Sequence, residues 1–295
     1  MNQIRLKALA KINLGLDVLR RKEDGYHEVK MIMQTINLYD QIQIRKIEED
    51  EIRIRTNLYY LPNNENNLAY KAAKILKDEF QLPGGVAIQL KKVIPVAAGM
   101  AGGSSDAAAV LFGMNKMYGL KLSMHELMDR GVKLGADVPY CIMRGTALAE
   151  GIGEKLTRLP AMPKCHILIA KPPISVSTKF VYENLHANDL KPEEHPKVDI
   201  QLEALTEGNL EKLVANMGNV LERVTVPEYP VINEMKQMML DGGALGSMMS
   251  GSGPTVFGIF TNYVQAREAY RKIEQSGLSK QIYLTTPYNQ IEVRR

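Results

Sequence analysis

A loop with very little side-chain bulk is the stretch of this sequence best suited to chemistry. It reads PVAAGMAGGSS over residues 95–105, after an apolar run typical of a strand and before an alanine-rich run with helical character. A helix that begins near Ser104, Ser105 or Asp106 would direct unpaired N–H groups and a partial positive charge at an anion. The pattern therefore predicts either a phosphate-binding loop or an ordinary strand-to-helix turn capped by Ser or Asp. Neither a G-x-x-x-x-G-K-[ST] motif nor a G-x-G-x-x-G motif occurs, which excludes a Walker P-loop and a Rossmann fingerprint.

Two polar residues in an early strand and one carboxylate in a helix break are the other candidates. Apolar residues alternate over residues 4–18, which indicates strands, and Lys11 and Asn13 interrupt that pattern. Asp137 lies in the sequence GADVP, where Pro139 is predicted to end the preceding helix. Taken alone, Lys11 is interpreted as a solvated strand lysine and Asp137 as a turn residue.

The elements that must position these residues follow an α+β order. Asn67 is placed to cap a helix that runs through Phe80, and a strand is predicted over residues 142–148. The second half of the chain indicates helices packed on one face of an antiparallel sheet. Prolines clustered around one apolar strand place the domain boundary after residue 160, which predicts domains of residues 1–160 and 161–295.

Composition excludes several classes of protein. The 295 residues are 45% apolar and 24% charged, as in globular proteins, and the net charge is +4. Aromatic residues make up 6% and Trp is absent, which disfavours a nucleic-acid-binding protein. Cys141 and Cys165 lack metal-ligand spacing, so we expect a reduced, cytoplasmic protein. No apolar run approaches the roughly 20 residues that a membrane span requires.

Three motifs in one order resemble the GHMP kinase superfamily: AKINL at residues 10–14, the loop at residues 95–105, and SGSG at residues 250–253. Within that superfamily, GYHE at residues 25–28, GADVP and the tract KPPISVST resemble the kinases that act on a cytidine-diphosphate-linked methylerythritol. The resemblance covers nearly the whole chain. It implies ATP-dependent phosphorylation of the 2-hydroxyl of that acceptor, in the non-mevalonate (MEP) pathway of isoprenoid synthesis. The implied two-domain GHMP kinase fold has a ribosomal-protein-like N-terminal domain and a ferredoxin-like C-terminal domain.

The resemblance also implies roles for individual residues. Asp137 would be the base that takes the hydroxyl proton, and Lys11 beside it would hold the carboxylate ionised and offset charge on the phosphoryl group. Either Ser104 or Ser105 would offer its hydroxyl to Mg²⁺. The residues implied to bind ATP are Asn67, Lys92, Pro95, Val96, Ala97, Ala98, Gly99, Met100, Ala101, Gly102, Gly103, Ser104 and Ser105.

The implied acceptor site draws on both halves of the chain. Tyr26, His27 and Tyr182 would meet the cytosine, with His27 reading its polar edge. The full set of residues implied to bind the acceptor is Asn13, Tyr26, His27, Tyr182, Gly251, Ser252 and Gly253. We expect a monomer or weak homodimer whose partners are ATP and this acceptor, with neither nucleic acid nor membrane among them.

The sequence departs from the superfamily's usual pattern in two places. Leu9 stands where a proline usually precedes the Ala-Lys pair, and the phosphate loop carries Ala97, Ala98 and Ala101 where glycine is more usual. Alanine leaves the backbone approachable unless a position requires positive φ. We expect activity to survive both departures.

Two other functions are weighed against the favoured one. Another GHMP kinase, of the mevalonate or homoserine type, would lack the GYHE segment and its aromatic partner. A non-catalytic RNA-binding module is suggested by the implied ribosomal-protein-like fold, but it would have no need of Lys11 with Asp137. ADP release against a panel of acceptors separates these functions.

Overall fold

The computed structural model describes residues 1–289, which form two compact units. One unit, called the first unit, comprises Met1–Ala10, Leu38–Val96 and Ala101–Met143. The second unit comprises Lys11–Asn37, Ala97–Met100 and the described residues from Arg144 onward. The strands β1 (Gln3–Arg21) and β2 (His27–Ile47) are long, and each contributes residues to both units. Within residues 1–289, no helix combines the length and apolarity needed to cross a membrane.

The described residues of the first unit form a sheet and four α-helices. Strand β3 (Ile52–Thr56) runs parallel to β4 (Gly85–Lys91), and β4 pairs antiparallel with residues 41–47 of β2. Alternate residues of these strands are buried, including Ile44, Ile54 and Ile88, because the strand repeat of two residues sends them all to one face. The helices are α1 (Leu68–Glu79), α2 (Gly102–Tyr118), α3 (Met124–Val132) and α4 (Val138–Met143).

Short sequence patterns predict the start of α1 correctly but not the end of α3. Asn67 caps α1 as predicted, since its side-chain oxygen accepts a hydrogen bond from the N–H of Ala69 at 3.0 Å. The prediction that Pro139 ends a helix is wrong: α3 ends at Val132, and Pro139 lies in the first turn of α4. Proline is tolerated there because first-turn N–H groups have no intrahelical acceptor. The strand predicted over residues 142–148 begins only at Thr146, because α4 continues to Met143.

The second unit contains two sheets. In one, β5 (Thr146–Gly151) pairs antiparallel with residues 29–34 of β2 and with β6 (Lys155–Arg158), while β8 (Gly218–Asn219) runs parallel to β1. The other is antiparallel throughout, in the order β11-β7-β10-β9. Its strands are β7 (His166–Lys171), β9 (Gly246–Met249), β10 (Val256–Phe260) and β11 (Gln281–Thr285).

Six helices complete the second unit, and the last two pack on the antiparallel sheet. They are α5 (Thr178–Glu183), α6 (Val198–Glu207), α7 (Leu210–Ala215), α8 (Glu222–Glu228), α9 (Val231–Asp241) and α10 (Tyr263–Ser276). The α+β class predicted from the order of elements is confirmed. The boundary after residue 160 stays a prediction, and residues 290–295 of its second domain lie outside the described chain.

Candidate active site

The middle of the glycine-rich loop approaches two other backbone segments of the second unit. The Ser250 hydroxyl donates to the Gly99 carbonyl at 3.0 Å, and the N–H of Lys11 donates to the Met100 carbonyl at 3.2 Å. A Cβ at Gly99, whose φ is +70°, would lie 2.0 Å from the Ser250 carbonyl oxygen. No side chain fits there, so glycine is required by both conformation and space.

Two alanines of the loop adopt backbone conformations that favour glycine. Ala97 has φ of 49° and Ala101 has φ of 53°, both in the left-handed region. This conformation costs a non-glycine residue roughly 1–2 kcal/mol. Two of the three alanines noted in the sequence, Ala97 and Ala101, therefore lie at positions with positive φ, and the loop retains its left-handed turns despite them.

The two serines at the start of α2 have different surroundings. Ser105 is 3% exposed, and its hydroxyl donates to the Leu9 carbonyl at 2.7 Å. Ser104 is half-buried, and its hydroxyl makes no hydrogen bond to any described residue. A Cβ on Gly135 would lie 4.0 Å from the Ser104 hydroxyl, which places Ser104 beside the turn that contains Asp137. Of the two hydroxyls, that of Ser104 is the one available to a ligand.

Lys11 and Asn13 lie on one face of β1. The Lys11 ammonium donates to the side-chain oxygen of Asn13 at 2.7 Å, and the Asn13 amide nitrogen contacts the sulfur of Met31 at 3.3 Å. Lys11 is 5% exposed and Asn13 is fully buried. Among the described residues of its own unit, Lys11 forms no ion pair, so it retains a buried positive charge that an anion could meet.

Asp137 lies in the turn between α3 and α4 of the first unit. Its carbonyl accepts from the N–H of Cys141 at 3.0 Å, which starts α4, and its residue is half-buried. The turn is closed by a hydrogen bond from the N–H of Val138 to the Gly135 carbonyl at 3.1 Å. Asp137 thus lies in a turn with a defined backbone. The pairing of its carboxylate with Lys11 stays a prediction.

Lys92 lies between two buried carboxylates of the first unit. Its ammonium is 2.7 Å from a carboxylate oxygen of Asp106 and forms a second short ion pair with Asp40. Burial opposes the charge on Lys92, but Asp106 and Asp40 outweigh it and raise its pKa. A Cβ on Gly102 would lie 3.1 Å from the Lys92 ammonium, which therefore lies next to the first residue of α2.

Burial affects the carboxyl group of Asp106, the third member of this buried trio. Burial raises the pKa of its carboxyl well above the usual range; Lys92 opposes this shift and Asp40 adds to it. One of its oxygens has no hydrogen-bond partner among the described residues. The sequence analysis did not include Asp40 and considered Asp106 only as a helix cap, because no local pattern joins either residue to Lys92.

An aromatic pair occupies another part of the second unit. The rings of His27 and Tyr182 have centroids 5.1 Å apart, and their planes are inclined by 51°. Burial, followed by the charge of Arg21, lowers the pKa of His27, which keeps the imidazole neutral near pH 7. Tyr26 is 61% exposed on the turn between β1 and β2. The structure therefore joins Tyr182 to His27, two of the three residues expected around a base.

The SGSG turn is held by Asn219, a residue that the sequence analysis missed. The Asn219 amide donates to the carbonyls of Met249 and Gly251 at 2.9 and 2.8 Å. The hydroxyls of Thr178 and Ser252 are 2.8 Å apart.

The side chain of Asn67 uses both of its polar atoms on backbone groups. Its oxygen accepts from the N–H of Ala69, and its amide donates to the Pro62 carbonyl at 2.9 Å.

Comparison with known proteins agrees with these observations. The model of the GHMP kinases N terminal domain matches residues 67–145, and that of the GHMP kinases C terminal matches residues 201–279. The chain is 58% identical over 288 residues to a 4-diphosphocytidyl-2-C-methyl-D-erythritol kinase of Lachnospira eligens, covering 98% of this chain and 99% of the relative.

Two solved structures extend the comparison. A crystal structure of 4-(cytidine 5'-diphospho)-2C-methyl-D-erythritol kinase has a TM-score of 0.82 and 32% identity, covering 97% of this chain and 100% of that one. The homoserine kinase of Cytophaga hutchinsonii has a TM-score of 0.77 and 19% identity, covering 98% and 96%, and at that identity it shows a shared fold alone.

Proposed function

The chain belongs to the GHMP kinases, in the family of 4-diphosphocytidyl-2-C-methyl-D-erythritol kinases, and on that premise we propose how its residues carry out phosphoryl transfer. It is a phosphotransferase that moves a phosphoryl group from ATP to the 2-hydroxyl of 4-diphosphocytidyl-2-C-methyl-D-erythritol. The observation that carries the residue assignments is the loop at residues 95–105, which has a glycine in close backbone contact at position 99 and leads into the first turn of α2.

The loop binds the ATP phosphates mainly through its backbone. The first-turn N–H groups of α2 have no intrahelical acceptors, and Gly102 and Gly103 allow an anion to approach them. Met100 and Gly99 hold the loop against β1 and the turn at residues 250–253. Lys92 acts as a positioning residue, since its charge is already shared between Asp40 and Asp106.

Mg²⁺ fits the residues present if the nucleotide supplies most of its ligands. Among the described residues, no group of three His, Cys, Asp or Glu side chains is arranged to hold a metal. The Ser104 hydroxyl, without a protein partner, is the group that would contact the ion, which in turn would neutralise phosphate charge.

Lys11 and Asp137 act on the reacting groups. Lys11 is a buried cation whose orientation is fixed by Asn13, and it stabilises negative charge that develops on the transferred phosphoryl group. Asp137 takes the proton of the attacking hydroxyl, and hydrogen bonds of the turn before α4 fix the backbone that carries this carboxylate. Asn13 and the turn at residues 251–253 help to fix the acceptor.

His27 and Tyr182 recognise the cytosine, together with Tyr26. A neutral imidazole can donate through one nitrogen and accept through the other, as the polar edge of cytosine requires. The Tyr182 ring supports the imidazole and offers a face for stacking. The proposal further includes a cytoplasmic monomer or weak homodimer that binds neither nucleic acid nor membrane, and these remain predictions.

ADP release with a panel of acceptors tests the proposal. The cytidyl-erythritol, mevalonate, homoserine and galactose are compared at equal concentration with the same ATP supply. We expect turnover with the first and background rates with the others. Turnover of another acceptor with none of the first would overturn the proposed function.

A further inference from the structure

Lys171, the last residue of β7, uses its ammonium group on backbone carbonyls rather than on a carboxylate. The ammonium donates to the Pro172 carbonyl at 3.1 Å and to the Ile174 carbonyl at 3.0 Å. The residue is half-buried, and burial alone lowers the pKa of its ammonium. The side chain therefore serves the turn of the chain that carries these two carbonyls.

The turn at residues 172–174 is poor in backbone donors, because Pro172 and Pro173 carry no N–H group. A hydrogen bond from the N–H of Ile174 to the Pro172 carbonyl, at 2.8 Å, lies within the turn. The Lys171 ammonium adds two further hydrogen bonds, one to each end of the turn. It supplies donors that the prolines cannot, and it thereby fixes the direction in which the chain leaves β7.

The backbone of Lys171 is itself held in the antiparallel sheet. Lys171 lies opposite Gln281 of β11, and its carbonyl accepts from the Ser279 hydroxyl at 2.6 Å. The preceding residue, Ala170, lies opposite Val256, the first residue of β10. Because β10 follows the SGSG turn in the chain, the ammonium group acts from a fixed base close to that turn.

The turn at residues 172–174 leads directly to two contacts of the candidate acceptor site. Only residues 175–177 separate it from Thr178, the first residue of α5, and they form no helix or strand. The Thr178 hydroxyl lies 2.8 Å from that of Ser252 in the SGSG turn. One helical turn later, the Tyr182 ring lies against that of His27. The place of α5 and of the Tyr182 ring therefore depends on where this turn directs the chain.

We propose that Lys171 is a positioning residue for the cytidyl acceptor, an inference that rests on the proposed function. The ammonium group closes the turn at residues 172–174, the turn sets the start of α5, and α5 presents Tyr182 to the base. A direct contact between the ammonium group and the phosphates of the acceptor is the alternative. The two differ in whether the effect of Lys171 depends on the Tyr182 ring.

Acceptor kinetics of Lys171→Met test the proposal, because methionine keeps an unbranched side chain and removes the donors. We expect KM for the cytidyl acceptor to rise by at least about fivefold, the lower end of the range for loss of base stacking. Both kcat and KM for ATP should stay within about twofold. Lys171→Arg keeps the charge and the donors and should give a smaller rise. The matched control Lys280→Met, which removes an exposed cation beside Gln281, should behave as the wild type does.

A double variant separates positioning from direct contact. In the Tyr182→Ala background, Lys171→Met should change the acceptor KM by less than about twofold, because the ring through which Lys171 acts is already absent. Thermal unfolding shows that each variant is folded. If Lys171→Met does not fold, Lys171→Gln, which keeps one donor group, is measured in both backgrounds with the same expected dependence on Tyr182.

Three results would overturn this inference alone, provided that the wild type turns over the cytidyl acceptor. They are an unchanged acceptor KM in the folded Lys171 variant, an equal rise in KM for ATP, and a full additional rise in the Tyr182→Ala background. An equal rise of the acceptor KM in Lys280→Met would also contradict a specific role of Lys171. Absence of wild-type turnover with the cytidyl acceptor would overturn the proposed function, and this inference with it.

Discussion

At the scale of single residues, the two proposed catalytic groups are a buried cation and a carboxylate on a turn. Lys11 is almost fully buried and is oriented by Asn13, whereas Asp137 is half-buried before α4. A buried ammonium without an ion pair in its own unit is costly, and an anionic ligand would relieve that cost. This makes Lys11 suited to a reaction in which negative charge develops beside it.

Removal of the base should separate catalysis from folding. Asp137→Asn keeps the shape of the turn, so we expect normal folding and a loss of about 10²–10⁴ in kcat, the usual contribution of a positioned base. Steady-state kinetics and thermal unfolding of the variant check both parts. Turnover near that of the wild type would mean that Asp137 is not the base.

The aromatic pair predicts a selective effect on the acceptor. Stacking of one base on an aromatic ring contributes roughly 1–3 kcal/mol, so Tyr182→Ala should raise KM for the cytidyl substrate by roughly 5- to 150-fold. The KM for ATP should stay within about twofold. Tyr182→Phe is the control, because the ring and its contact with His27 remain. An unchanged acceptor KM in folded Tyr182→Ala would contradict the assignment.

At the scale of elements, the start of α2 carries two serines with different surroundings, and we propose that one serves ATP binding and the other stability. Ser104 and Ser105 are adjacent in sequence, but only Ser105 is committed to a backbone carbonyl. Beneath the same turn lie Lys92, Asp40 and Asp106, which connect α2 to β2 and to the end of β4. Substitutions at different positions of α2 should therefore have different effects, some on ATP binding and others on stability.

The two serines predict opposite outcomes on substitution. Ser104→Ala should raise KM for ATP and leave the acceptor KM and the stability near wild type. Ser105→Ala removes a buried hydrogen bond to the Leu9 carbonyl, so we expect destabilisation of about 0.5–1.5 kcal/mol with less effect on ATP use. Kinetics and urea unfolding of both variants distinguish the roles, and equal loss for both substrates in Ser104→Ala would count against the loop assignment.

The buried trio predicts a pH-dependent difference in stability. The pKa of Asp106 is raised by burial, so the folded state holds its proton more tightly than the unfolded state, whose pKa is about 3.9. The contribution of this group to wild-type stability therefore falls as pH rises above about 4. Asp106→Asn carries no charge to bury, and its stability relative to the wild type should increase between about pH 4 and pH 7.

Unfolding free energies of both proteins at several pH values check this sign. Asp129→Asn on α3, an exposed position, is the matched control for the loss of one negative charge. A stability difference between Asp106→Asn and wild type that shrinks as pH rises would contradict the burial of an ionisable Asp106.

At the scale of the whole molecule, features set by residues close together in the sequence could be predicted, whereas contacts between residues distant in the sequence could not. The cap at Asn67 follows from neighbouring residues, whereas the requirement for glycine at position 99 depends on Ser250, which is distant in the sequence. Helices α6 and α8 have no clear start signal in the sequence, because neither has a side-chain cap, and α8 contains Pro227. The pairing of Lys92 with Asp40 joins residues that are 52 positions apart, so only the folded chain reveals it.

The resemblance to GHMP kinases supplied what local patterns left open. Lys11 and Asp137 had ordinary structural interpretations when taken alone, and their roles came from the order of several motifs along the chain. The positive φ of Ala97 and Ala101 shows the limit of that approach, because a family pattern of glycines does not say which of them can be replaced.

The product of the reaction tests the central claim most directly. Phosphorus-31 NMR of a reaction with ATP, Mg²⁺ and the cytidyl-erythritol should show one new phosphomonoester signal, with the diphosphate signals of the acceptor retained and ADP formed in equal amount. A parallel sample with Asp137→Asn should show little product over the same time. Free phosphate without a phosphomonoester, or cleavage of the acceptor's diphosphate, would contradict transfer to its hydroxyl.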